Sequence, residues 1–141
     1  MVGWIAYALL VIPLAFLVAT KRMFSPAPAA IAPMVVGLAI VVWARIAFGW
    51  RSLHAGSDAT KGGLVTSGPY RFVRHPIYAG LMLVLIGVVI GHHDRITIAA
   101  VAIIVAGLGV RIAAEERSVR RMYPEYESYA RRTKRLVPFL F

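Results

Sequence analysis

The chain contains no cysteine. Disulfides, thiolate metal sites and cysteine nucleophiles are excluded together. Charge is scarce as well: Asp, Glu, Lys and Arg make up 16% of the 141 residues, against about 25% in soluble domains. Acidic side chains number only six. What remains is apolar, with 60% hydrophobic residues and a mean hydropathy of +0.73. Such a composition excludes a disordered chain. It also argues against a water-soluble globule, which needs polar residues to cover its surface.

The charge that is present is basic. Sixteen Lys and Arg against six Asp and Glu give a formal net charge of +10. On a soluble chain that excess points to nucleic acid; on an apolar chain it marks the side facing anionic lipid and the cytoplasm. The arginines track the ends of apolar runs and form no nucleic-acid module, so no nucleic-acid partner is expected.

Those apolar runs are the dominant feature. Val2–Thr20 carries no charge, and Ala29–Trp50 carries only Arg45. Ile77–Gly91 and Ile96–Val110 are uncharged and reach spanning length with their flanks, His75–His92 and Arg95–Ala114. A spanning helix needs roughly 20 apolar residues, so the sequence predicts four spans. The first run lacks a basic leader and a small-x-small cleavage site, and reads as a span rather than a signal peptide. Pro13 kinks such a helix without forbidding it in a bilayer.

The loops orient the spans. His92-His93-Asp94-Arg95 is a tight turn, which puts Arg51–Arg74 and the C-terminal tail on one side. That side holds twelve Lys and Arg and the other holds three, Lys21, Arg22 and Arg95. The bias places the basic side and both termini in the cytoplasm of an inner or plasma membrane; Lys21-Arg22 runs against it. The expected fold is an all-α integral membrane protein: four transmembrane helices as two hairpins, plus a cytoplasmic C-terminal amphipathic helical segment. It forms one membrane domain over 1–141, with an N-terminal hairpin at 1–50 and a functional core at 51–141.

Two stretches are polar enough to be aqueous. Arg51–Arg74 contains Gly56, Gly62, Gly63 and Gly68-Pro69, which read as turns. The tail from Glu115 carries Val119, Met122, Tyr123, Tyr126, Tyr129 and Ala130 at helical spacing on one face, and Pro124 suits the first turn of a second short helix. Its apolar end, Leu136–Phe141, can lie on the bilayer surface or fold back over a pocket at the inner ends of the spans.

Three polar features sit at membrane depth or its edge, where polar groups are costly and usually functional. Pro76 fits the first turn of the third span, so Arg74 and His75 stand at a helix N-terminus suited to an anion. Arg71, Arg74, His75, Tyr70 and Tyr78 also fit a simple interfacial belt. Arg111 and Glu115 are four residues apart and share a helix face; the adjacent Glu115-Glu116 pair makes most sense where one carboxylate meets a cationic ligand. The third feature is the aromatic and basic tail. Anion site, cation site and aromatic walls together suit a zwitterionic, aromatic ligand such as S-adenosylmethionine. No metal site is expected.

Leu64–Tyr70 with Arg74-His75-Pro76-Ile77-Tyr78-Ala79-Gly80, then Glu115-Glu116, Tyr123-Pro124-Glu125-Tyr126, Tyr129 and Leu136-Val137-Pro138-Phe139, resembles the isoprenylcysteine carboxyl methyltransferase family. That family is more loosely related to the phospholipid methyltransferases. The likeness runs from about Gly62 to Phe141. It implies a membrane methyltransferase that takes cytosolic S-adenosylmethionine, releases S-adenosylhomocysteine, and methylates a lipophilic acceptor entering from the bilayer. Carried over by position, the cofactor residues are Leu64, Val65, Tyr70, His75, Pro76, Ile77, Tyr78 and Glu115. Arg111 is the catalytic residue that orients the acceptor; a carboxylate acceptor follows from that arginine. The family's polar loop residue has its nearest counterpart in His54. Fewer spans than in eukaryotic members leave a prenylated protein unimplied.

Two other classes fit parts of the pattern. A small dimeric four-span transporter needs an acidic residue at membrane depth, and the first three spans have none. A non-catalytic membrane scaffold would use the basic tail for anionic lipid or a partner.

Overall fold

The computed structural model describes residues 2–49 and 63–137. Among them are five α-helices: α1 (Val2–Ala19), α2 (Pro28–Phe48), α3 (Pro76–Gly91), α4 (Arg95–Met122) and α5 (Tyr126–Arg132), with a 3₁₀ turn at Gly68–Arg71 before α3. The chain is all-helical there; the only strand-like pairing among the described residues is an isolated parallel bridge between Val73 and Lys134. Local chemistry sets most boundaries. Pro28 and Pro76 occupy the first turns of α2 and α3, where the missing N–H costs no helical bond. Asp94 caps α4 by accepting from the Ile96 and Thr97 amides at 3.0 and 3.2 Å, which satisfies two of the four orphan donors of that helix.

Among the described residues, two helices are long and apolar enough to cross a membrane, α2 with 21 residues and α4 with 28. The 16 residues of α3 extend about 24 Å at 1.5 Å per residue, short of a hydrocarbon core about 30 Å thick.

The expected pairing into sequential hairpins is corrected by the packing. α2 lies along α3, and α1 lies along α4. Glycine is the reason. A Cβ on Gly80 would meet Gly37 O at 2.5 Å and Val41 Cγ2 at 2.8 Å; one on Gly87 would strike Met34 and the Ala30 carbonyl. Backbones approach this closely only where side chains are absent. On the other pair, a Cβ on Gly107 of α4 would meet Leu9 Cβ of α1 at 3.0 Å. The two pairs share an apolar core of Leu17, Leu85, Val88, Ala100, Ile104 and Leu108.

Two further expectations change. The fourth helix does not stop at Ala114; it runs to Met122 and carries Glu115 and Glu116 on its last turns. The second short helix expected after Pro124 is present as α5, and the chain turns extended at Tyr123 (φ −127°, ψ 99°) before it. Pro124 disfavours the helical region for the residue before it, so Tyr126 and Tyr129 are buried by α5 while Met122 is exposed. The segment before α3 is not simply an aqueous loop either: Pro69, Tyr70 and Val73 are buried.

The end of the bundle opposite α5 holds a small polar cluster. Arg22, just after α1, pairs with Asp94 and donates to Thr97 Oγ1 at 2.8 Å. Arg22 thus stands beside a carboxylate, which locally offsets its charge.

Two measurements check these contacts. Gly80→Ala is expected to lower stability by about 1–3 kcal/mol through overpacking, read as a fall in thermal midpoint in detergent. Hydrogen bonds from Thr97 and its amide, with Arg22 alongside, hold the Asp94 carboxyl down at about 2 from 3.8. A depressed folded-state pKa contributes stability that is present above pH 4 and lost as pH falls toward 2. Asn can still cap a helix, so the melting midpoints of wild type and Asp94→Asn are expected to converge on acidification below pH 4 and to separate above it, with wild type the more stable.

Candidate active site

The start of α3, the end of α4, the 3₁₀ turn and the C-terminal strap 133–137 meet around two adjacent carboxylates. Glu116 is buried. Its Oε1 accepts from Arg74 Nε at 3.1 Å and lies 3.4 Å from His75 Nε2; its Oε2 accepts from Arg135 at 3.3 Å. Arg120, one turn on, is 3.9 Å away. A buried carboxylate is costly unless paired and hydrogen-bonded, and this one is supplied from three separate stretches of chain.

Arg74 is as fully engaged. Its guanidinium donates to the Ala130 carbonyl at 2.8 Å and also to the Thr133 carbonyl. The backbone continues the junction: Arg74 N donates to Lys134 O at 2.7 Å and His75 N to Arg135 O at 3.0 Å. The strap therefore lies directly across the approach to the α3 N-terminus. Arg74, expected to help hold an anion, spends its donors on Glu116 and on carbonyls of α5 and the strap. Tyr129 pins α5 to the 3₁₀ turn through a buried hydrogen bond to Tyr70 O at 2.7 Å. Burial pushes the Tyr129 phenol up to about 12 and the Tyr70 phenol up as well, so both stay protonated at neutral pH.

Glu115 belongs to a second cluster. Arg111 Nε donates to its Oε1 at 3.1 Å, the shared helix face expected from their spacing. The same Nε donates to Tyr78 Oη at 2.7 Å, and Tyr78 donates to Glu115. The Arg111 guanidinium lies 4.9 Å above the Tyr7 ring of α1, a cation–π distance. His75 stacks on Tyr78 at 5.8 Å and its Nδ1 is 3.9 Å from Glu115. The structure thus brings together four of the sequence candidates, Arg111, Glu115, His75 and Tyr78. Pro76 is fully buried behind them. Leu64 and Val65, in the stretch leading to the 3₁₀ turn, and Ile77 are half-buried, and the Tyr70 ring packs on Phe48 at 5.6 Å. His54 lies outside the described residues.

Beside these clusters is a cavity of about 230 Å³. Met82 of α3, Val105, Leu108, Ile112 and Ala113 of α4, and Leu136 of the strap make its walls apolar; Tyr78, Glu116 and Arg135 form its polar end. Arg111 and Glu115 are not among its lining residues. Tyr78 touches both the cavity and the Arg111–Glu115 cluster. Sequence reasoning named Glu115 but gave no individual role to Glu116, Arg135 or Gly109. The helical stripe 105, 109, 112, 116 was the available signal; the pairing of Glu116 with residues 42 and 19 positions away had none. Among the described residues, no group of three or more His, Cys, Asp or Glu is placed to hold a metal ion.

A carboxylate beside aromatic rings and guanidiniums fits the charged end groups of S-adenosylmethionine: Glu115 and Tyr78 for a cation, His75 for a polar contact. No solved structure matches the chain. The chain is 33% identical over 110 residues to a nickel-cobalt-cadmium resistance protein of Alcaligenes xylosoxydans, covering 76% of this chain and 50% of that protein. It is 32% identical over 108 residues to a cobalt-zinc-cadmium resistance protein of Cupriavidus metallidurans, with the same coverage. The chain spans about half the length of these relatives. The profile of the phospholipid methyltransferases matches residues 27–126, reaching further toward the N-terminus than the motifs and ending before the Pro138-Phe139 element. With most of its length under that profile, the chain belongs to the phospholipid methyltransferase family.

Proposed function

We propose that the protein is an integral-membrane methyltransferase that moves the methyl group of S-adenosylmethionine to a lipophilic acceptor reaching the site from the bilayer. The observation that carries this reading is the position of Tyr78, which joins the charged Arg111–Glu115–His75 cluster to an apolar cavity. A transferase between a polar donor and a greasy acceptor needs such a junction.

In the proposed topology all four long helices span, the basic side faces the cytoplasm, and the site opens there. Leu64, Val65, Tyr70, His75, Pro76, Ile77, Tyr78 and Glu115 line the cofactor side. When bound, S-adenosylmethionine supplies an electrophilic methyl on a sulfonium; the acceptor's lone pair forms the new bond as the carbon–sulfur bond breaks, leaving neutral S-adenosylhomocysteine. The protein's part is placement and charge. Glu115 holds a cationic end group, His75 and Tyr78 fix the adjoining polar atoms, and Arg111 orients an anionic acceptor such as a carboxylate, which has no proton to lose. The relatives' names concern metal resistance; for this chain that is a growth phenotype to score beside methyl transfer.

Isothermal titration of purified protein with S-adenosylhomocysteine is expected to show saturable binding, and absence of heat at millimolar ligand overturns the proposal. Radiolabelled methyl transfer into membrane extracts is expected to label an organic-extractable species. Arg111→Ala is expected to cut turnover by about 10²–10³-fold, the cost of losing one charge-orienting donor, while S-adenosylhomocysteine affinity changes by less than about tenfold. Parallel loss of both overturns the acceptor role of Arg111.

A further inference from the structure

Gly107 sets the register of α1 on α4. A Cβ there would meet Leu9 Cβ at 3.0 Å and Leu10 Cδ2 at 3.2 Å, so the two helices touch at that level. They run in opposite directions, since Arg22 after α1 pairs with Asp94 before α4. One turn of about 3.6 residues onward along α4 therefore faces α1 just under a turn nearer its start. Those positions are Arg111 and Tyr7, and the Arg111 guanidinium lies 4.9 Å from the Tyr7 ring centroid. A side-chain hydrogen bond joins the pair as well.

Tyr7 is the one hydroxyl-bearing residue of α1. It lies outside residues 27–126, which the family profile matches, and outside the motifs that begin at Leu64. Packing against α4 asks for bulk at this position, which a Leu supplies; a ring set on a cation adds something that bulk does not. Arg111 donates from Nε to Tyr78 Oη at 2.7 Å and to Glu115 Oε1 at 3.1 Å. Those two bonds converge on one nitrogen. They locate that atom but do not fix the tilt of the guanidinium plane about it. A ring lying against the guanidinium does. The tilt matters because a guanidinium meets an anion through donors that lie in its plane. With its side chain only 12% exposed, Arg111 is also in the desolvated regime where attraction to a ring is strongest.

We propose that Tyr7 is a positioning residue for methyl transfer, its ring holding the guanidinium plane of Arg111 in the orientation that presents the acceptor to the methyl group. This rests on the methyltransferase reading and adds the first helix to its machinery. Tyr7 acts through Arg111 alone in this scheme. The close contact at Gly107 then serves more than packing, because it delivers the ring to the level of the arginine.

The test uses the full chain in detergent, with two readouts. The first is the side-chain N–H signal of Arg111 by nitrogen-15 NMR, identified by its loss in Arg111→Ala. An aromatic face shields protons above it, so the signal is expected upfield in wild type and Tyr7→Phe and at its ordinary position in Tyr7→Leu. An unshifted signal in wild type overturns the contact. The second is radiolabelled methyl transfer with membrane extract as the acceptor source. Tyr7→Leu is expected to lower maximal turnover about tenfold, the scale of one desolvated cation–π contact. The KM for S-adenosylmethionine and the affinity for S-adenosylhomocysteine are expected to change by less than about threefold, which also shows that the variant is folded. Tyr7→Phe, which keeps the ring, is expected to stay within about threefold of wild type. Tyr7→Leu added to Arg111→Ala is expected to cost less than about threefold more, because no guanidinium is left to orient. A further tenfold loss in that background marks an independent structural effect and overturns the role. So does equal loss in Tyr7→Phe and Tyr7→Leu, unchanged turnover in Tyr7→Leu, or loss of S-adenosylhomocysteine affinity in parallel with turnover. Those outcomes leave the methyltransferase reading standing; wild type that neither binds S-adenosylhomocysteine nor transfers methyl overturns both.

Discussion

The buried carboxylate of Glu116 is the constraint on which the end of the bundle around the candidate site depends. A charge taken out of water must be met by partners within a few ångströms, and here Arg74 comes from the stretch before α3, Arg135 from the strap, and Arg120 from the next turn of α4. Meeting that requirement fixes where two distant pieces of chain must lie against α4. The parallel bridge from Val73 to Lys134 and the bonds from Arg74 and His75 to the strap follow the same junction. The C-terminal strap thereby becomes a wall of the cavity rather than a free tail.

Glu115, one residue earlier, points about 100° away around the helix and enters a different environment. It meets Arg111, Tyr78 and His75. Two neighbouring carboxylates that would repel each other on an open surface are separated by helix phase and matched by different cations. That separation gives the candidate site two compartments with Tyr78 between them. The arginine of the Arg-His-Pro element belongs to the Glu116 side of this split, donating to Glu116 and to carbonyls at the end of α5.

The bundle beneath the site is organised by close backbone contact. Between apolar helices, small residues that let backbones touch decide the partners. Gly37 and Gly80 bring α2 and α3 together, and Gly107 seats α1 against α4. α3 and α4 share fewer contacts, and it is between these two helices and the strap that the cavity opens.

Composition and local chemistry settled a good deal by themselves. Scarce charge and long apolar runs dictated an all-helical chain with membrane-length segments. Pro28, Pro76 and Asp94 set helix starts, the spacing of Arg111 and Glu115 put them on one face, and the Arg-His-Pro-Ile-Tyr and Glu-Glu elements marked the family. These are short-range signals, each carried by residues within a turn or two. The nested helix pairing, the internal use of Arg74, the split between Glu115 and Glu116, and the cavity faced by Gly109 came only with the tertiary structure. Each depends on groups tens of residues apart in sequence, and nothing in a local pattern says which distant cation a carboxylate will meet or which glycine will face a neighbour and which an open slot.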